Sequence, residues 1–375
     1  MGGTGPTIAV IGAGIVGAAI ALDLARRGAA VTLLEAGIPG GGATAASFGW
    51  ITVTHGMAAP CARLRQAAME DWHRLDARLD GRLAPEWRGA LSWTADTGAT
   101  ERLVSDHAER GYDVLLLERA EIMARAPMLV DPPAVAAWAG GEGAVDPPAA
   151  VRVLVAAACE AGAVLRDRTP VDAITASDGR VDGVNVGTER IPADHVVLAA
   201  GAGAAALAAP LGVALPLHVS PAILLHCRGI AMSPGPILSG PGFEVRRRGA
   251  GSLLAAEDYL DDTATNGPDA VAARALAAIR AGLRGTEALR LEQVSVGWRP
   301  MPDDGLPIVG AVAGIDGLYL AAMHAGVTLA PTVARLAAAE LLDGSDEVLL
   351  APCRADRFAQ ASSHDSRGKA ATWQA

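Results

Sequence analysis

The sequence predicts an α/β chain, α+β overall, in which a parallel-sheet domain is interleaved with a second domain built on a mainly antiparallel sheet. Three observations predict it. Residues 7–35, TIAVIGAGIVGAAIALDLARRGAAVTLLE, read as strand, glycine turn, helix, strand and acidic residue. Residues 195–200 read as a fully buried strand closing on Gly201-Ala202-Gly203, the form of a second parallel strand beside the first unit. Residues 86–117 and 216–299 instead carry short alternating strands, and the chain returns to α/β style after each.

The opening unit carries the most chemistry. Residues 8–11 are apolar and β-branched, and Gly12-Ala13-Gly14-Ile15-Val16-Gly17 then supplies G-x-G-x-x-G. Gly12 permits a tight turn, Gly14 lets backbone approach a pyrophosphate, and Gly17 lets the helix sit close on the strand. A helix over 15–27 would turn its free N–H groups and positive dipole end toward the phosphates. A second strand over 31–34 ends at Glu35, 18 residues after Gly17. That is close to the spacing of roughly 20 at which a carboxylate holds ribose hydroxyls. In this full context the unit predicts dinucleotide binding and a Rossmann-like domain. A glycine-rich helix start without a ligand is the plain alternative.

Composition narrows the class. The chain has 375 residues, 51% apolar, with a formal net charge of −10 and no basic block longer than Arg246-Arg247-Arg248. Such a surface argues against nucleic-acid binding. Cys61, Cys159, Cys227 and Cys353 are far apart, with no C-x-x-C, so neither a disulfide framework nor a zinc site is expected. The short segment before the first strand is too brief for a signal peptide, and no uninterrupted apolar run of about 18 residues stands out. A cytoplasmic protein with no membrane span is expected.

Along the chain, residues 37–42 form a flexible loop. Residues 43–50, Ala-Thr-Ala-Ala-Ser-Phe-Gly-Trp, combine small side chains with hydroxyls that can meet a large planar ligand. Residues 61–80 form an amphipathic helix with Leu64, Ala68, Trp72, Leu75 and Leu79 as its apolar stripe and Arg65, Glu70, Arg74, Asp76 and Arg78 off it. A helix is expected near 100–110, others over 149–161, 270–283 and 327–342, and strands over 171–175 and 181–186 around an Asp178-Gly179 turn. Glu257, Asp258, Asp261 and Asp262 lack the accompanying histidine or glycine-turn loop of a metal site and read as a solvated acidic loop. The two-fold departure and return divides the chain into one domain over 1–85, 140–215 and 300–358 and another over 86–139 and 216–299. Residues 359–375 are expected to form a flexible tail.

Several segments together resemble one family over residues 7–358. They are G-A-G-I-V-G with Glu35, residues 43–50, Gly143-Ala144-Val145-Asp146-Pro147, residues 196–201, residues 297–310 (GWRPMPDDGLPIVG) and residues 324–331 (HAGVTLAP). The chain is similar to the FAD-dependent D-amino-acid oxidase-like oxidoreductases. These include glycine oxidases, sarcosine oxidases and D-amino-acid dehydrogenases of the DadA type. The resemblance implies FAD and assigns residues by position. Gly12, Gly14, Ile15, Val16, Gly17, Glu35 and Ala36 would hold the ADP half. Ala43, Thr44, Ser47, Gly49 and Trp50 would touch pyrophosphate and flavin, and Val171 would meet adenine. Ala200, Gly201 and Arg299 would also lie at the cofactor. Gly326, Val327, Thr328 and Leu329 would open a helix whose dipole stabilises charge at flavin N1 and O2. No cysteine stands where sarcosine oxidases resemble one another in a flavin-linked one, since Gly297-Trp298 occupies that place. Non-covalent FAD follows.

The activity implied is oxidation of an amine or amino acid at its C–N bond, by hydride transfer to flavin N5 and hydrolysis of the imine. The partners implied are such a substrate and either oxygen or another electron acceptor. An oligomer is compatible with this reading. Arg299 is the candidate for a substrate carboxylate, because its fork binds carboxylates bidentately; a domain-linking ion pair is the alternative. His324 stands where glycine oxidases resemble one another in an arginine, which turns attention to amine steering or proton transfer. Trp50, His55 and Tyr259 complete the candidate catalytic set, with Trp50 and Trp298 as the main aromatic lining. Two alternatives remain open: oxidation of a secondary or N-methyl amine that is not an amino acid, and a nucleotide-binding protein without catalysis.

Overall fold

The structure is a computed structural model that describes residues 5–55, 59–232, 234–258 and 261–358. The chain opens with β1 (Thr7–Ile11), α1 (Ile15–Arg26) and β2 (Ala30–Leu34). There follow β3 (Trp50–Ile51), α2 (Ala62–Arg78), β4 (Ala90–Ser92), α3 (Thr97–Glu109), β5 (Leu115–Glu118), α4 (Arg119–Arg125), β6 (Val135–Ala139) and β7 (Gly143–Ala144). The middle holds α5 (Pro147–Glu160), β8 (Val164–Arg166), β9 (Ala173–Ser177), β10 (Arg180–Val186), β11 (Glu189–Pro192), β12 (His195–Leu198) and α6 (Ala204–Ala208). Then come β13 (Leu217–Arg228), β14 (Ile237–Gly240), β15 (Phe243–Arg247), β16 (Ser252–Asp258), α7 (Pro268–Gly282) and β17 (Arg290–Pro302). β18 (Ile308–Val312), β19 (Ile315–Ala322) and α8 (Gly326–Asp343) close the fold.

The first sheet runs β11-β10-β19-β12-β1-β2-β8, with β9 on β10 and β18 on β19; its central strands are parallel. One face packs on α1, α5 and α8, where Ile20, Leu24, Leu154 and Leu336 are buried. The other is covered by the β9–β11 meander and α6. The helices start on local signals. Asp146 accepts the Ala149 N–H at 3.0 Å to cap α5, and Asp96 accepts from Gly98 and Ala99 to cap α3. Gly344, at φ +68°, ends α8.

The second sheet runs β17-β13-β16-β15-β14-β4-β6-β5 and is antiparallel except at β14–β4. Alternation gives it two unlike faces. Ile223, Leu225, Cys227, Leu253 and Ala255 pack beneath α7. Leu224, Ile237 and Leu254 on the opposite face meet Phe48 and Trp50 of the first sheet's loops. The expected strand over 171–175 is displaced: Val171 lies in the irregular segment before β9, where Asp172 N–H pairs with Asn185 O outside the ladder. Residues 43–46 form a turn.

Candidate active site

The parallel strands β8, β2, β1, β12 and β19 all end on one edge, the edge at which open α/β sheets bind ligands. Just beyond them lie Gly12, Glu35 with Ala36, the segment leading to Val171, Ala200 with Gly201, and the turn 323–326. The glycines have separate duties. Gly12 sits at φ +101°, and a Cβ there would lie 2.5 Å from Ala199 O. A Cβ on Gly17 would lie 1.9 Å from Gly12 O, so helix and turn touch. Gly14, the N-cap of α1, has only Thr44 Oγ1 within reach, at 3.4 Å. No side chain caps α1 from Gly14, and the Ile15 N–H is taken by Thr44 Oγ1 at 3.2 Å. Glu35 accepts from Ala13 N–H and Gly37 N–H, each at 2.8 Å, which pins its carboxylate across the turn. A bare glycine surface, a helix start with no cap from its own N-cap residue and a fixed carboxylate fit the ADP part of FAD.

The start of α8 abuts this cradle, since a Cβ on Gly326 would lie 3.2 Å from Val16 Cγ2. Pro331 has no N–H for Val327 O. Trp72 Nε1 fills that need, donating to Val327 O at 3.0 Å and Thr328 O at 3.1 Å. Thr328 is buried and its hydroxyl donates to Trp50 O at 3.2 Å, so its side chain ties α8 to β3. Leu329 is core, and Val327 is partly buried beside it. Ser47 Oγ accepts Gly49 N–H at 3.2 Å. Gly49, at φ +77°, approaches Val145 O so closely that a Cβ would lie 2.3 Å from it. Ala43 lies in the turn just before Thr44.

A carboxylate unnoticed in the sequence organises the next loop. Glu142 is 1% exposed and accepts from Trp50 Nε1 at 2.7 Å and from Thr52 Oγ1, Val53 N, Thr54 N and Thr54 Oγ1 at 2.8 Å each. Burial raises its pKa above the ordinary carboxylate value, against the pull of those hydrogen bonds. The clamp fixes Trp50, on which His55 stacks with ring centroids 5.3 Å apart.

On the second sheet, the face toward this loop carries Ser220, Glu244, Asp258, Gly297 and Arg299 in register across β13, β15, β16 and β17. Arg299 Nη2 lies 2.7 Å from Asp258 Oδ1 and 2.8 Å from Ser220 Oγ. Both partners belong to the same sheet, so the pair does not link the two domains. A Cβ on Gly297 would lie 3.1 Å from Ala46, so only glycine lets the loop of residues 43–50 rest on the strand without displacing that residue. Burial pushes Glu244 up to about 7, against the Ser239 hydroxyl and with Glu257 and Asp258 adding to it.

His55 and His324 both keep accessible surface, yet burial lowers both of their pKa values, His324 to about 4. The positive charges of Arg299 and Arg65 deepen both shifts, and Asp258 opposes them. The candidates Trp50, His55, Arg299 and His324 are thus brought to one place. Tyr259 lies outside the described residues, as do residues 359–375. Trp298 does not line the site: it lies on the opposite side of β17 from Arg299 and is 52% exposed. Arg65, expected off the apolar stripe of α2, is 2% exposed. It stands seven residues before Trp72, about 20° away on the helical wheel, so the period placed it on the stripe despite its charge. A shallow concavity lined by Thr7, Arg180 and Asp194 lies at the strand-start edge of the first sheet, away from all of these.

Comparison with known proteins gives matches over most of the chain. The family model described as DAO, FAD dependent oxidoreductase, matches residues 7–340. A protein of Bacillus subtilis called uncharacterized oxidoreductase YurR is 28% identical, covering 92% of this chain and 96% of its own. A glycine oxidase of Pseudomonas aeruginosa is 29% identical over 91% of this chain and 96% of its own. The crystal structure of glycine oxidase from Geobacillus kaustophilus superposes with a TM-score of 0.84 at 24% identity, covering 94% of this chain and 99% of that one. Among the described residues no helix is long and apolar enough to cross a membrane.

Proposed function

Since the chain belongs to the DAO family of FAD-dependent oxidoreductases, we propose that it oxidises an amino acid at its C–N bond, between the Trp50 loop and the Arg299 face of the second sheet. The observation that carries this is the convergence of His55 and His324 from one sheet's loops with Arg299 and Asp258 from the other sheet. FAD, when bound, supplies the hydride acceptor. This chain's own residues bind and orient. Gly12 to Gly17, Glu35, Val171 and Gly201 hold the ADP half, and residues 43–50 and 326–329 hold the flavin end. His324 is neutral at pH 7, so it acts as a hydrogen-bond donor or acceptor, not as a cation. Glu244, brought by burial to about 7, and Asp258, paired with Arg299, offer acceptor oxygens to a substrate ammonium. In this reading residues 1–85, 140–215 and 300–358 serve FAD, and residues 86–139 and 216–299 serve substrate. FAD is held non-covalently. Cys61 faces Cys353 at 3.8 Å, Cys227 is buried under α7 and Cys159 is exposed on α5, so none stands beside Gly297.

One observation favours a second reading. Asp258 already matches the charge of Arg299, which suits a secondary or N-methyl amine without a carboxylate. An anaerobic panel of amino acids and amines, read by flavin bleaching, decides between them. Repeating the hits with oxygen and an artificial acceptor separates oxidase from dehydrogenase. A purified protein that takes up no FAD, or a flavin that no amine bleaches, rejects the proposal. FAD that stays with the acid-precipitated polypeptide rejects non-covalent binding.

A further inference from the structure

Arg65 is a cation without a counter-ion. It is 2% exposed, its Nη1 donates to the backbone carbonyl of His55, and its Nε is buried with no hydrogen-bond partner. Among the described residues no carboxylate lies within ion-pair distance; Glu142 is felt only at longer range, with Tyr112 and Cys61. Burying an unmatched charge is unfavourable by several kcal/mol, so such groups are normally paired. Burial brings this guanidinium down to about 10, a strained setting that it still endures as a cation.

Its position explains what the charge faces. Trp72, about two turns along α2, donates to the first carbonyls of α8. The Arg65 guanidinium itself is tied to the His55 backbone, and the His55 ring stacks on Trp50. The field of Arg65 is registered at both His55 and His324. The start of α8 adds the positive end of its dipole in the same region. Arg299 differs, because Asp258 neutralises it at 2.7 Å.

We propose that Arg65 is the positioning residue that draws a substrate carboxylate to the His55–His324 wall, a role that Arg299 cannot fill alone because Asp258 already pairs with it. The inference rests on the amino-acid reading of the site given above. It specifies a zwitterion, with the carboxylate toward Arg65 and the ammonium toward Glu244 and Asp258.

The test uses the FAD-loaded protein and two probes of one shape, benzoate and benzamide, with dissociation constants from calorimetry and flavin difference spectra. Arg65→Met is expected to weaken benzoate by about tenfold or more and benzamide by less than about twofold. Equal weakening of both probes, no weakening of benzoate, or no benzoate binding by the unsubstituted protein would overturn it. If Arg65→Met does not fold, Arg65→Lys keeps the charge. It is expected to weaken benzoate more than benzamide, because a point charge replaces the fork, and an equal effect on both probes overturns the proposal. Calorimetry needs no turnover, so the probe contrast still reports on Arg65 if no amine bleaches the flavin.

Discussion

Replacing Glu142 tests how the flavin-side loop is held. Glu142→Ala removes the acceptor of five hydrogen bonds and leaves Trp50 Nε1–H and Val53 N–H without one, while Thr54 N–H keeps only Thr52 Oγ1 at 3.1 Å. A buried donor left unmade is unfavourable by about 1–3 kcal/mol, and truncating one member of a buried charged network typically removes about 3–5 kcal/mol. We expect a loss of about 3–5 kcal/mol on that scale. Glu142→Gln is more selective. An amide oxygen at the Oε1 position still serves Thr52, Val53 and Thr54, while the amide nitrogen meets Trp50 Nε1–H, donor against donor. About 1–3 kcal/mol should be lost, and Trp50 should leave its stack with His55. Denaturant unfolding with and without FAD gives the stability, and tryptophan fluorescence gives the ring. The pH dependence has a definite sign. Burial raises the Glu142 pKa in the folded state, so the folded state holds the proton more tightly. That contribution is full below the ordinary carboxylate range and is lost as pH rises through the raised pKa. The wild-type lead over Glu142→Gln should therefore narrow as pH rises from about 4. A Gln variant equal to wild type in stability and fluorescence throughout would refute the reasoning.

Three further outcomes are expected. Gly17→Ala puts a Cβ 1.9 Å from Gly12 O; it should lose about 1–3 kcal/mol or more and most FAD affinity, and retained FAD on titration would count against the close helix–turn contact. Trp72→Phe deprives Val327 O and Thr328 O of their donor and should lower stability by about 1–2 kcal/mol, with an unchanged unfolding midpoint as the contrary result. His324, lowered to about 4, should contribute stability that is present above about 6.5 and lost as pH falls toward 4. His324→Gln should then leave the activity profile between pH 6 and 8 without a displaced inflection, and the disappearance of an inflection near 6.5 would contradict the depressed value.

Much of the candidate cofactor end is legible in the chain because its determinants are local. Gly12, Gly14 and Gly17 are specified by turn geometry within six residues, and Glu35 by the length of one β-α-β unit. The substrate end depends on register between distant strands. Which face of β17 carries Arg299 follows from its pairing with Ser220 on β13, and no local pattern states that. The same alternation turned Trp298 away. Glu142 was hidden in a glycine-rich loop because its partners Trp50, Thr52 and Thr54 lie about ninety residues earlier. Arg65 was misplaced because charge was allowed to outweigh helical period.

The place of β19 in the first sheet has a consequence for biosynthesis. It lies between β10 and β12, so the β9–β11 meander joins the rest of the ladder only through it. Among the described residues it is also the last strand in chain order, ending at Ala322. A nascent chain thus leaves the ribosome with two unjoined half-sheets and exposed edges, in the state most vulnerable to aggregation. β19 closes the gap as a keystone closes an arch, and the edge proposed to receive the dinucleotide is complete only then.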